Sequence, residues 1–202
     1  MTATQMIRNS LLKLFFEMFG TLFLTLTFNC TLYKTGYSSF TMNQTALLLT
    51  LWVLTIFGIK ISGAHYNPAI SFAFMLRRDV GKFPRVLGIA YIVFQCFGAF
   101  LGALLSWFLR VDAFESGNIL VRGDEARWVF PALVAEALGS FFVAFFYLTQ
   151  TEEKTVFSKE KAINCFIIAA SYVGARSMLN GTTFTLSGAV LNPAIGLATS
   201  LT

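Results

Sequence analysis

The stretch Ser62-Gly63-Ala64-His65-Tyr66-Asn67-Pro68-Ala69-Ile70 has a second copy, Ser187-Gly188-Ala189-Val190-Leu191-Asn192-Pro193-Ala194-Ile195, and this pair constrains the fold more than anything else in the chain. Each copy follows an apolar run and opens a short second one. Asn is a strong helix N-cap, and Pro is favoured at the first helical position, where its missing N–H costs nothing. Each Asn-Pro-Ala therefore predicts a helix start with spare backbone donors in its first turn. The first such helix is predicted from Pro68 to about Leu76, with Arg77 and Arg78 complementing its negative end. At about 1.5 Å per residue it is roughly 14 Å long, half of a ~30 Å hydrocarbon core.

A hydrocarbon core is the relevant frame because 56% of the 202 residues are hydrophobic and only 12% are charged. A soluble domain is nearer one-quarter charged, so the chain reads as a polytopic membrane protein in a lipid bilayer. The net charge of +5 sits largely in short loops, where it sets topology and is no nucleic-acid footprint. Cys30, Cys96 and Cys165 all fall within apolar segments without a CxxC pair, as small core residues do. His65 is the only histidine, and no nucleophile, base and acid come together in the sequence. Catalysis, a metal site and a cofactor are not expected.

In chain order, residues 1–10 are a polar N-terminal segment, and no small-residue cleavage site follows the first apolar run, so that span is expected to stay as an anchor. Spans are predicted at 11–33, 43–61, 85–109, 131–150 and 162–179, with a mixed-charge loop at 110–130. Glu17 stands three residues before Gly20 in the first span, and Glu136 three before Gly139 in the fourth. A carboxyl group at membrane depth faces protein or water. Gly98 and Gly102 lie four apart in the third span, which also carries Gln95, and such spacing lets a neighbouring helix come close. The order of span with acid, span and half-helix occurs twice, so 11–109 and 131–202 form two units of one repeat. The first unit holds an odd number of full crossings, which makes the second inverted and brings the half-helices to the midplane from opposite faces. The expected fold is an all-α membrane protein with five full spans plus two half-helices.

Basic residues agree with this topology. Arg8, Lys13, Lys60, Arg77, Arg78, Lys82, Arg85, Lys154, Lys159 and Lys161 fall on one side, against Lys34, Arg110, Arg122, Arg127 and Arg176 on the other. The N-terminus is thus expected in the cytoplasm or its organellar equivalent. The membrane is a plasma or intracellular one, with the mitochondrial inner membrane as the alternative. Two helix N-termini at the midplane, with the amide donors of Asn67 and Asn192, would repel cations and offer hydrogen bonds to a neutral polar solute.

On these residues the chain resembles the aquaporins, the major intrinsic protein family. Glu17 and Glu136 match that family's paired glutamates, which brace the half-helix loops, and Tyr91 to Ala103 resembles its third span. The resemblance implies a pore in each protomer of a homotetramer, lined by Asn67, Pro68 and Ala69 with Asn192, Pro193 and Ala194. It further implies a ladder of water-accepting backbone carbonyls at Gly63, Ala64, His65, Gly188, Ala189 and Val190. His65 enters this reading through its backbone; its ring reads as a satisfied buried one.

Three departures from the family pattern stand out. Ile195 follows the second Asn-Pro-Ala where the family usually has the arginine of its outer filter, and Gly196 replaces the aspartate that glycerol-conducting members tend to carry. By spacing, the filter positions are Leu47, Asn180, Ala189 and Ile195, a set that admits less polar solutes or packs shut. Arg176 lies one helical turn before Asn180 and is a candidate for the missing charge in the outer vestibule, the alternative being that it snorkels or pairs at a protomer contact. Finally, the first repeat continues through a complete span after Asn67, whereas ten residues follow Asn192, so a sixth span is expected beyond the sequence, or else a five-span derivative. The leading functional reading is a passive channel for water or small neutral solutes. The alternatives are a non-conducting structural subunit of a larger membrane assembly, and an ion- or proton-coupled transporter relaying through Glu17 and Glu136.

Overall fold

The computed structural model describes residues 3–32, 40–77, 83–109, 129–181, 184–185 and 187–201. Most of the 110–130 loop lies outside that range, as do Lys34, Arg78, Lys82, Arg110, Arg122 and Arg127 of the charge count. The elements in order are α1 (Ala3–Leu32), α2 (Phe40–Gly58), α3 (Pro68–Met75), α4 (Arg85–Phe108), α5 (Val129–Thr151), α6 (Lys161–Leu179), β1 (Asn180–Gly181), β2 (Phe184–Thr185) and α7 (Pro193–Leu201). β1 and β2 are a two-residue antiparallel pairing, a detail absent from the all-helical expectation.

Helix limits follow the sequence closely, with two instructive differences. α1 starts at Ala3 because residues 3–10 contain neither Gly nor Pro, so the helix runs on past the apolar stretch. α2 stops at Gly58, where the backbone N–H groups of Ile61 and Ser62 both turn back onto the Gly58 carbonyl. Among the described residues, four helical stretches are long and apolar enough to cross a membrane, Ile7–Thr31, Arg85–Phe108, Val129–Thr151 and Lys161–Leu179. The apolar part of α2, Met42–Gly58, is shorter, at the low end of the roughly 17–25 residues that suffice for a span. Outward side chains such as Val86, Phe141 and Phe145 are large and apolar, as lipid contact requires. The protein is an integral, multi-pass membrane protein.

Helix packing rests on small residues, since lipid supplies no hydrophobic drive between helices. Gly98 and Gly102 of α4 lie directly against the Met18 and Leu22 carbonyls of α1, and a β-carbon at either would strike that backbone. Ala99 and Ala103 of α4 meet Ala194 and Ala198 of α7 in the same manner. Arg77 differs from expectation. It lies beyond the Leu76 C-cap, and its guanidinium pairs with Glu152 at 2.5 Å, in the link between α5 and α6. A carboxylate within reach attracts it more than the partial charge of an eight-residue helix.

Candidate functional site

The loops before α3 and α7 have backbone shapes that L-residues resist. Gly63 (φ 96°) and Gly188 (φ 78°) are joined in the left-handed region by Ala64 (57°), Tyr66 (49°), Ala189 (47°) and Leu191 (53°). Non-glycine residues there cost of order 1–3 kcal/mol each and need surrounding structure to hold them. The two glutamates do this. Glu17 Oε1 accepts from Ser62 Oγ (2.6 Å) and His65 N (3.0 Å), and its Oε2 from Tyr66 N (2.7 Å) and Gln95 Nε2 (2.8 Å). Glu136 Oε1 accepts from Ser187 Oγ (2.6 Å) and Val190 N (2.9 Å), and its Oε2 from Leu191 N (2.7 Å). The serines each accept a further loop N–H, from Ala64 and Ala189.

The glycine three residues after each glutamate is explained by the same loops. A β-carbon at Gly20 would collide with the Tyr66 ring, and one at Gly139 with Leu191. One helical turn thus carries the carboxylate that holds the loop and the gap that receives its side chain.

Asn67 and Asn192 lie at the join of the two loops. Asn67 Oδ1 caps α3 by accepting from Ala69 N (2.9 Å), and Asn192 Oδ1 accepts from Ala194 N (3.1 Å). Asn67 Nδ2 donates to the Leu191 carbonyl (2.8 Å), while Asn192 Nδ2 donates to the Tyr66 carbonyl (2.9 Å). Each amide has a second N–H. Both side chains line a cavity of about 20 Å³, room for about one water, together with Tyr147 and Tyr172.

The loop carbonyls have donors that sequence reading missed. Tyr147 of α5 donates to the Gly63 carbonyl and to that of Ala64 (2.9 Å). Tyr172 of α6 donates to Val190 (2.8 Å), and Tyr91 of α4 to Ser62 (2.6 Å). Arg176 Nη1 donates to Ala189 (2.5 Å) and Gly188 (3.3 Å), with its guanidinium 4.4 Å above the Phe28 ring. Each carbonyl keeps a second lone pair. The available signal was the tyrosines themselves, since a phenol inside a hydrophobic span requires a partner. Arg176 is only 2% exposed, so it neither snorkels to lipid nor stands at the protein surface.

Of the filter positions, Leu47, Ala189 and Ile195 are buried in one apolar cluster with Phe28. Asn180 has its backbone in β1, and its side chain lies outside the described residues. Pro68 is buried in the first turn of α3, whereas Pro193 is exposed at the start of α7. His65 is buried, its Nδ1 3.1 Å from Ser71 Oγ and its ring among Phe74, Phe83, Tyr91 and Tyr147. A second and larger cavity, about 1060 Å³, is also bordered by His65 and is lined by Ser62 and Gly63 together with Lys13, Arg77 and Glu152. Among the described residues no group of three or more His, Cys, Asp or Glu side chains gathers as a metal site would.

Comparison with known proteins agrees with this architecture. The family described as Major intrinsic protein matches residues 4–202. An uncharacterized aquaporin-like protein of Haemophilus influenzae is 47% identical over 60 residues, which cover 30% of this chain and 26% of that protein. Aquaporin PIP1-3/PIP1-4 of Zea mays is 31% identical over 145 residues, covering 70% of this chain and 47% of the relative. The glycerol uptake facilitator protein of Streptococcus pneumoniae is 30% identical over 142 residues, covering 67% and 56%. The chain spans about half the length of the curated relatives it matches, and less of the Haemophilus protein.

Proposed function

We propose that this chain, which belongs to the major intrinsic protein family, forms a passive transmembrane channel for water and small neutral solutes, with the path running between Asn67 and Asn192. The observation that carries the reading is the cavity at those two residues, large enough for about one water. Each amide spends one N–H on the opposite loop and keeps one for a passing molecule. Two helix N-termini and two fixed donors orient a water so that it accepts from both sides, which disfavours an unbroken donor chain for protons. The carbonyls of residues 63–65 and 188–190 supply acceptors on either side of that point.

Residues 11–109 and 131–202 act as two repeats around this path, in a homotetramer or a larger membrane assembly. Glu17 and Glu136 serve as braces and not as proton relays, since each is occupied by the loop it holds. Arg176 takes the part of the absent filter charge, beside Ala189 on the outer side. This is supported by its donors on the Gly188 and Ala189 carbonyls.

A second reading, a non-conducting structural subunit, is favoured by one observation: Leu47, Ala189 and Ile195 pack together in the apolar core. Stopped-flow osmotic shrinkage of proteoliposomes holding the full-length protein separates the two. Shrinkage faster than in empty vesicles, and lost in Asn67→Asp/Asn192→Asp, supports the channel. Shrinkage at the empty-vesicle rate from a folded oligomer overturns it in favour of the subunit.

A further inference from the structure

The two cavities are lined by successive residues of one loop. Gly63 faces the larger cavity and Ala64 the smaller, while His65 borders both. Tyr147 lines the smaller cavity, and its single O–H is shared between the Gly63 and Ala64 carbonyls, one residue from the lining of each cavity. Its ring is edge-on to His65 (5.8 Å between centroids) and to Phe74 (5.6 Å), and the residue is 2% exposed. We infer that Tyr147 is the inner constriction of the path, a side-chain gate between the wide cavity and the single-water chamber.

The inference rests on the channel reading above and adds to it the residue that sets the rate. A water leaving the chamber toward the larger cavity needs acceptors at Gly63 and Ala64, and the phenol already donates to both. Each carbonyl has a second lone pair, so the water is not denied a partner; it competes for angle and space with a fixed donor. The opposite loop differs. There the Val190 carbonyl is held by Tyr172, whereas Gly188 and Ala189 are held by a charged guanidinium, so the barrier is of another kind on that side. The phenol is anchored by neutral hydrogen bonds alone, and a rotamer change releases both carbonyls at once.

The test compares wild type, Tyr147→Phe and Tyr147→Val by osmotic shrinkage in proteoliposomes, with thermal melting to establish that each is folded. Tyr147→Phe keeps the ring and frees the carbonyls; since a net hydrogen bond of ordinary strength corresponds to about a fivefold change in rate, water permeability rises by about that factor. Tyr147→Val also removes the ring and rises further. If wild type is slow but still faster than empty vesicles and Tyr147→Val is fast, the gate is supported most directly. If wild type conducts, is abolished by Asn67→Asp/Asn192→Asp, and both Tyr147 variants match it or fall below it, the gate is overturned while the channel stands. If wild type and all variants stay at the empty-vesicle rate, the channel and the gate fall together.

Discussion

Asn67 and Asn192 hold each other's loops in place: each donates through Nδ2 to the carbonyl that immediately precedes the other, at 2.8 and 2.9 Å. Each also caps its own half-helix through Oδ1. The two halves of the chain are thereby joined to each other side chain to backbone.

This predicts non-additive stability. Asn67→Ala or Asn192→Ala removes a cap, costing about 0.5–2 kcal/mol, and a cross-loop bond worth about 1 kcal/mol net. Once one loop has relaxed, the carbonyl that the other asparagine needs is displaced. The double variant is therefore expected to lose less than the sum, by about 0.5–3 kcal/mol. Detergent-phase melting of the four proteins checks this, and strict additivity would argue against the reciprocal geometry.

The two glutamates are not equivalent. Glu17 accepts from Ser62, His65, Tyr66 and Gln95, and Glu136 from Ser187, Val190 and Leu191. A glutamine presents an NH₂ where one oxygen stood, facing donors and accepting nothing. Each donor left unsatisfied costs about 1–3 kcal/mol. Glu17→Gln is expected to lower Tm more than Glu136→Gln, because each Glu17 oxygen faces two donors, whereas Glu136 Oε2 faces one and a glutamine NH₂ placed there displaces a single bond. Unfolding can be followed with a thiol-reactive dye in a Cys30→Ser background, since Cys165 is fully buried in the folded protein whereas Cys30 is exposed. Equal shifts would mean that Gln95 contributes nothing to the cradle.

The span limits and the glutamate–glycine pairs were legible in the sequence because each is written in hydropathy or spacing. The loop conformation was not. Nothing in Ala64, Tyr66, Ala189 or Leu191 announces a positive φ, which is imposed by carboxylates 48 to 55 residues earlier in the chain. The donors Tyr91, Tyr147, Tyr172 and Arg176 were equally hidden as partners, since which helix faces which loop is a tertiary fact. Arg77 was misjudged for the same reason: its partner, Glu152, is 75 residues away.

Gly20 and Gly139 make a paired steric prediction. Alanine at Gly20 must displace the Tyr66 ring, which is buried and hydrogen-bonded to the Leu54 carbonyl (3.0 Å), so overpacking of about 1–3 kcal/mol is expected. In a Tyr66→Ala background the same substitution has nothing to strike, and its cost should largely vanish. A double-mutant cycle by melting temperature gives the coupling directly. Independent effects would show that the glycine is not there to receive the ring.

Arg77 and Glu152 offer a contrast. Their side chains are 23% and 29% exposed, so the pair is partly solvated despite its short contact. Arg77→Ala is expected to cost at most about 1 kcal/mol. A large loss of stability would show that α3 depends on this pair for its position.

Arg176 separates a structural role from a selective one. Its guanidinium is anchored to the Ala189 and Gly188 carbonyls and lies over Phe28, while its Nε is buried without a partner among the described residues. Arg176→Met and Arg176→Lys both lose the planar fork and therefore some stability, whatever the residue does for selectivity. They differ in charge. If the positive charge adds to the barrier against protons, methionine should raise proton leak, read with a pH-sensitive dye inside the vesicles. A rise on the order of tenfold corresponds to about 1.4 kcal/mol of barrier, modest for a unit charge a few ångströms from the path. Lysine should hold the leak near the wild-type level. Equal stability losses with no change in leak or in the permeant solutes would confine Arg176 to bracing the loop, and the outer filter would then rest on Leu47, Ala189 and Ile195 alone among the described side chains.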